Sequence, residues 1–142
     1  MRKEFLKFKA PVMVGFVVLF VAVFITERFN LYDVKYFDKL MHLSGGIISA
    51  WFFSIFFRKE LNASSKLKAA IILVSTAGLV GILWEFTEYF SSVYVSQVAP
   101  ALARYMYIGD LTDTLGDILL DLTGGFGFGL FYFMRLGKLY KK

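Results

Sequence analysis

The chain is expected to be an all-α polytopic membrane protein, a four-transmembrane-helix bundle with both termini in the cytoplasm. Three observations predict it. Of 142 residues 58% are hydrophobic and 19% aromatic, with a mean hydropathy of +0.63, too apolar for an ordinary soluble domain of this length. Four apolar stretches approach the roughly 20 residues that a helix needs to cross a bilayer. Lys and Arg gather in alternate connections between those stretches, as the positive-inside rule requires of cytoplasmic segments.

The first helix is expected over about 10–26. It follows the basic head Arg2, Lys3, Lys7 and Lys9 and ends Phe-Ile-Thr-Glu-Arg, without the small-residue site that closes a signal peptide. The second, over about 38–57, is interrupted by His42 and ends at Arg58, Lys59 and Glu60. The third, over about 68–90, carries Glu85 and Glu88 near its end. A connection over 91–109, with Tyr94, Pro100, Tyr105 and Tyr107, suits the headgroup level. The fourth runs over about 110–134; because only the 13 residues Leu122 to Met134 lack charge, it must draw in the acidic segment from Asp110 to reach spanning length. Together these account for residues 1–142 as one transmembrane domain.

The head, the second loop (Arg58, Lys59, Lys66, Lys68) and the tail (Arg135, Lys138, Lys141, Lys142) hold 12 of the 16 Lys and Arg residues. This places both ends in the cytoplasm and the protein in the cell (inner) membrane, in contact with lipid. The net charge of +5 reports that topology and not nucleic-acid binding, since no basic-aromatic surface separates the clusters. The absence of cysteine excludes disulfides, thiolate metal sites and cysteine nucleophiles. Asn62-Ala63-Ser64 matches a glycosylation acceptor but falls in a cytoplasmic loop under this topology, where it is not used.

The same topology brings three acidic segments to the outer level. Residues three or four apart share a helix face, and each polar helix has one such stripe: Asp38, His42, Gly45, Ser49; then Gly78, Gly81, Glu85, Glu88; then Asp110, Asp113, Asp117, Asp121, Gly124. Small residues continue the stripes inward, as close helix packing in lipid favours. The first helix has no such stripe and is expected to buttress the others or face lipid. Gly125 and Gly129 form a GxxxG spacing that suits either packing within the chain or a homodimer face on the Gly-rich fourth helix.

Asp110 to Asp121 covers roughly 16 Å of helix, so Asp121 lies well inside the membrane. A carboxylate at helix centre costs about 2.5–3.5 kcal/mol on insertion scales, and neighbouring carboxylates repel. Shared protons, basic partners or a bound cation are the available remedies. Basic partners are few on that side: Arg28, Lys35, Lys39 and Arg104. A divalent cation held among Asp38, His42, Glu85, Glu88, Asp113, Asp117 and Asp121 offsets the most charge at once. Oxygen ligands favour Mg²⁺, Ca²⁺ or Mn²⁺, while His42 keeps Zn²⁺ or Fe²⁺ open; a lone histidine argues against a polyhistidine di-iron centre. Asp38 and Asp110, at helix starts, also suit capping. Trp51, Trp84 and the many phenylalanines are most simply packing or lipid-facing residues.

The segments Phe37-Asp38-Lys39-Leu40-Met41-His42, Trp84-Glu85-Phe86-Thr87-Glu88 and Gly109 to Asp121 resemble the uncharacterised YjdF-type bacterial inner-membrane family, with a shorter likeness to VanZ-like proteins. Glu88 and Asp121 depart from the VanZ-like pattern, in which a Gln usually follows the first Glu and an Asn stands at the last position. The resemblance implies a small polytopic protein and supplies no reaction. Gly109-x-x-x-Asp113-x-x-x-Asp117 matches part of the CDP-alcohol phosphotransferase signature, but the preceding Asp-Gly-x-x-Ala-Arg element is missing.

Three functions compete. The first is a cation-binding centre serving a lipid or envelope-linked substrate, with metal-assisted hydrolysis or transfer as its chemistry; no nucleophile elbow or phosphate loop accompanies it. The second is a proton or cation transporter using the same carboxylates as a relay, which the charge-free inner halves of the second and third helices disfavour. The third is a structural or partner-binding network of carboxylates.

Overall fold

The computed structural model describes residues 2–29, 35–103 and 109–139, with side chains described over residues 8–29, 36–100, 103 and 109–135. Arg104, Tyr105 and Tyr107 lie outside the described residues, as do the side chains of Arg2, Lys3, Lys7, Lys35, Lys138, Lys141 and Lys142. The described residues are helical with no strand: α1 (Arg2–Phe29), α2 (Lys35–Phe56), α3 (Arg58–Ala63), α4 (Lys66–Phe90), a π-helical turn (Ser91–Val95), α5 (Ser96–Val98), α6 (Pro100–Ala103) and α7 (Leu111–Leu139). Four stretches are long and apolar enough to cross a bilayer: Phe8–Phe29, Tyr36–Phe56, Lys66–Val98 and Leu111–Arg135.

Helices α1, α2 and α7 overrun at one or both ends the bounds expected from apolarity alone. A helix leaving the hydrocarbon slab keeps its own backbone hydrogen bonds while its side chains turn charged, so charged ends stay helical. The largest difference follows Phe90. The expected connection over 91–109 begins as a helical extension, through the π-helical turn to Val98. Ser96 supports that turn by donating from Oγ to the Ser92 carbonyl at 2.6 Å. The helix breaks where proline forbids the α conformation to the residue before it: Ala99, ahead of Pro100, has φ −145° and ψ 66°. At the other end of α4, Ser65 accepts from the Lys68 amide at 3.4 Å, an N-cap. The short α3 bridges α2 to it and buries Leu61.

Helices α2, α4 and α7 pack against one another, while among the described residues α1 lies against α2 alone. Of the two expectations for the first helix, buttressing the other three or facing lipid, the second describes it better: with no small or polar stripe to let a backbone approach, it lies against α2 and turns Phe16, Phe20 and Phe24 outward. The interior is built from small residues, with Ala50, Ala69, Ala77 and Leu73 almost fully buried, because van der Waals packing and not hydrophobicity drives helices together in lipid. Phe8 of α1 meets Phe52 of α2 at 5.5 Å between ring centroids, in an aromatic cluster that includes Phe53, Phe56 and Phe57.

Glycines set the closest approaches. A Cβ on Gly46 of α2 would collide with the main chain of Asp121, and one on Gly124 of α7 would collide with the Leu43 carbonyl. Gly125 faces Ala77, 2.6 Å from a notional Cβ, and Gly129 faces Leu73. The GxxxG face is thus occupied by α4 of the same chain, which removes the basis for a homodimer through it.

Candidate functional site

The start of α2, the end of α4 and the start of α7 lie together at one end of the bundle, so the acidic stripes converge. Their depth is graded. Asp110 is exposed and caps α7, its Oδ1 accepting from the Asp113 amide at 2.9 Å. The Asp38 side chain, in the first turn of α2, is 45% exposed. His42, Glu85, Glu88, Asp117 and Asp121 are each no more than 6% exposed.

Lys39 answers the outer half of this charge. Its Nζ lies 2.7 Å from Asp113 Oδ1 and 2.7 Å from both carboxylate oxygens of Asp117. It also donates to the Asp113 carbonyl at 3.4 Å and stands 4.0 Å from Asp38 Oδ2. The helical spacing explains the grip: Asp113 and Asp117 are one turn apart on α7, and the long lysine stem can keep its ammonium between them.

His42 answers the innermost carboxylate. Its Nδ1 is 2.9 Å from Asp121 Oδ2. With Asp121 ionised, its carboxylate only accepts, so Nδ1 donates in this contact and Nε2 faces the other way. Asp121 fits because its neighbours lack side chains: a Cβ on Gly81 would overlap its carboxylate, and one on Gly45 would come within 3.5 Å of Oδ1.

Nε2 faces a set of oxygens without bonding any of them. Glu85 Oε1 is 3.7 Å away, Asp38 Oδ1 3.8 Å and Asp117 Oδ1 4.0 Å. His42 Nε2 and Glu85 Oε1 are both buried and lack a hydrogen-bond partner. A buried polar atom left unpaired costs about 1–3 kcal/mol. Glu88 stands beside this set, with Oε1 accepting from Trp84 Nε1 at 2.8 Å. Potential ligand atoms of Asp38, His42 and Asp117 lie within 4.8 Å of one another, as do those of His42, Glu85 and Glu88.

All seven residues singled out from the sequence fall in this cluster, but they are not equivalent. Asp113 and Asp117 bind Lys39, Asp121 binds His42 and Glu88 binds Trp84, so Glu85 and Asp38 are the carboxylates most open toward Nε2. Sequence reasoning counted Lys39 among the few basic residues on this side without giving it a partner, and treated Trp84 as packing. Spacing held a signal for both: Lys39 precedes His42 by three residues and Trp84 precedes Glu88 by four, each sharing a face with its site neighbour.

The chain matches, over residues 2–138, the family described as predicted membrane protein DUF2238, and it belongs to that family. An uncharacterised protein of Thermotoga maritima is 27% identical over 97 residues, covering 67% of this chain and 47% of the relative. The chain thus spans about half the length of that curated relative. No solved structure matches it.

Proposed function

We propose that this member of the family binds one divalent cation within the membrane, with His42 Nε2, Glu85, Asp38 and Asp117 as ligands. The observation that carries this reading is the pair of unpaired buried atoms, His42 Nε2 and Glu85 Oε1, 3.7 Å apart. Two ligands on one cation, each about 2.0–2.4 Å from it, are separated by up to about 4–5 Å, so the 3.7–4.0 Å spacings around Nε2 suit a shared ion and are too long for hydrogen bonds. A single nitrogen among carboxylate oxygens fits Mn²⁺, Zn²⁺ or Fe²⁺ and leaves Mg²⁺ and Ca²⁺ as weaker candidates. Asp121 on Nδ1 is the partner that orients a metal-ligating histidine.

The charge pattern of the loops puts this end of the bundle at the outer face of the inner membrane, with both termini inside. Asp38 forms its half-exposed mouth, at the level where lipid headgroups and envelope-linked substrates present phosphate. A bound cation would supply Lewis acidity to a phosphoryl oxygen; Glu88 is placed to hold a proton beside it, and the apolar helix faces limit water. A purely structural network is the second reading, favoured by the ion pairs that Lys39 makes with Asp113 and Asp117.

The test is metal analysis by mass spectrometry of detergent-purified protein prepared without chelator. Wild type should carry about one equivalent of transition metal, and His42→Ala and Glu85→Gln should lose it while keeping the elution volume of a folded protein. Wild type without metal after incubation with Mn²⁺, Zn²⁺, Mg²⁺ and Ca²⁺ would leave the structural network as the account of the cluster.

A further inference from the structure

We propose that Lys39 is a tethered cation filling a second cation position at Asp113 and Asp117, and that it thereby restricts the centre to one metal ion at the His42 and Glu85 end. The inference rests on the cation-centre reading above and adds to it the residue that sets how many ions the centre takes.

The first support is the shell around the ammonium. Nζ is gripped at 2.7 Å by both oxygens of Asp117 and by one of Asp113, with the Asp113 carbonyl at 3.4 Å and Asp38 Oδ2 at 4.0 Å. A bidentate carboxylate, a monodentate one and a main-chain carbonyl make up a donor set that a hard cation such as Ca²⁺ takes from proteins. Calcium–oxygen distances of about 2.3–2.6 Å are a few tenths shorter than the three carboxylate contacts, within the reach of small carboxylate rotations, while the Asp113 carbonyl at 3.4 Å would have to draw in by about 0.8 Å.

The second support lies across Asp117. Its Oδ1 is both a partner of Lys39 and one of the oxygens facing His42 Nε2, at 4.0 Å. On one side of this carboxylate the oxygens surround a positive charge; on the other, His42 Nε2 and Glu85 Oε1 are buried and unpaired. Two adjoining positions share one wall, and a side chain of the protein fills the first. Because Lys39 sits on α2 three residues before His42, its ammonium is held at a high effective concentration. A free dication entering that position must displace it and meet its repulsion.

The experiment is calcium titration calorimetry on the full chain in detergent, freed of metal, comparing wild type with Lys39→Met and Lys39→Gln. Both substitutions remove the charge and leave the oxygens. Each variant should bind one more Ca²⁺ per chain than wild type, and its thermal midpoint should rise with Ca²⁺ beyond any rise in wild type. Adding Asp113→Asn to Lys39→Met should abolish the extra equivalent. Equal stoichiometry in wild type and both variants overturns the inference and leaves the cation centre standing. No Ca²⁺ in wild type but one in the variants also upholds the role of Lys39, with the position at His42 then reserved for a transition metal. If neither variant can be recovered folded even in Ca²⁺, the position is not one a free cation can fill, and the inference fails.

Discussion

At the level of single residues most of the deep charges are answered one by one, with Glu85 Oε1 left unpaired. Lys39 compensates Asp113 and Asp117, His42 compensates Asp121, and Trp84 donates to Glu88. The unpaired Nε2 depends on this arrangement, because the contact of Nδ1 with Asp121 fixes how the ring is turned. Orienting partners of metal-bound histidines typically contribute 10–100-fold to affinity. Asp121→Asn should therefore weaken metal binding by about 10–100-fold at unchanged stoichiometry, whereas Glu85→Gln should remove it. Competition against a chromogenic chelator measures this, and equal affinities for wild type and Asp121→Asn would remove Asp121 from the role given to it.

Between elements, glycine governs how α2, α4 and α7 meet. Gly46 lies where a Cβ would overlap the Asp121 backbone, whereas Gly127 has nothing within 4 Å of a notional Cβ. Gly46→Ala should force α2 from α7 and destabilise the bundle by about 1–3 kcal/mol, the usual cost of overpacking. Gly127→Ala should be neutral or stabilise by up to about 1 kcal/mol, since alanine is the better helix former. Denaturant unfolding in mixed micelles separates them; similar shifts for both would show that the α2–α7 crossing is not tightly set. A spread at Gly46 should also loosen the contact between His42 and Asp121, linking packing to the site.

For the whole molecule, an even number of spans puts the two termini on one side, and the distribution of Lys and Arg predicts that side to be the cytoplasm. Reporters active only inside or only outside, fused in turn to each end, should both report a cytoplasmic location. Opposite locations for the two ends would contradict four crossings, and two external ends would place the acidic cluster on the inner face. The cluster is confined to one end: between Asp121 and Arg135 on α7 no Asp, Glu, His, Lys or Arg intervenes, nor does one between Lys68 and Glu85 on α4. A relay of charged side chains does not continue along these two helices, which disfavours transport by such a relay.

The all-α class, four apolar helices and the level at which the acids meet were legible in the sequence. Spanning length and helical periodicity are local properties: a run of apolar residues and a recurrence every three or four positions need no partner to be recognised. The capping role open to Asp110 followed from its place before the fourth helix, and the structure has it there. The extension of α4 through Ser91–Val95 was not legible, because serines and tyrosines suit a headgroup-level connection and a helix end equally well. Only the tertiary structure decided that Lys39 takes Asp113 and Asp117, that Asp121 takes Nδ1 of His42, and that Gly125 packs within the chain. The physical reason is range: a hydrogen bond is made or lost within about an ångström, and that ångström is set by how closely glycines let three helices cross.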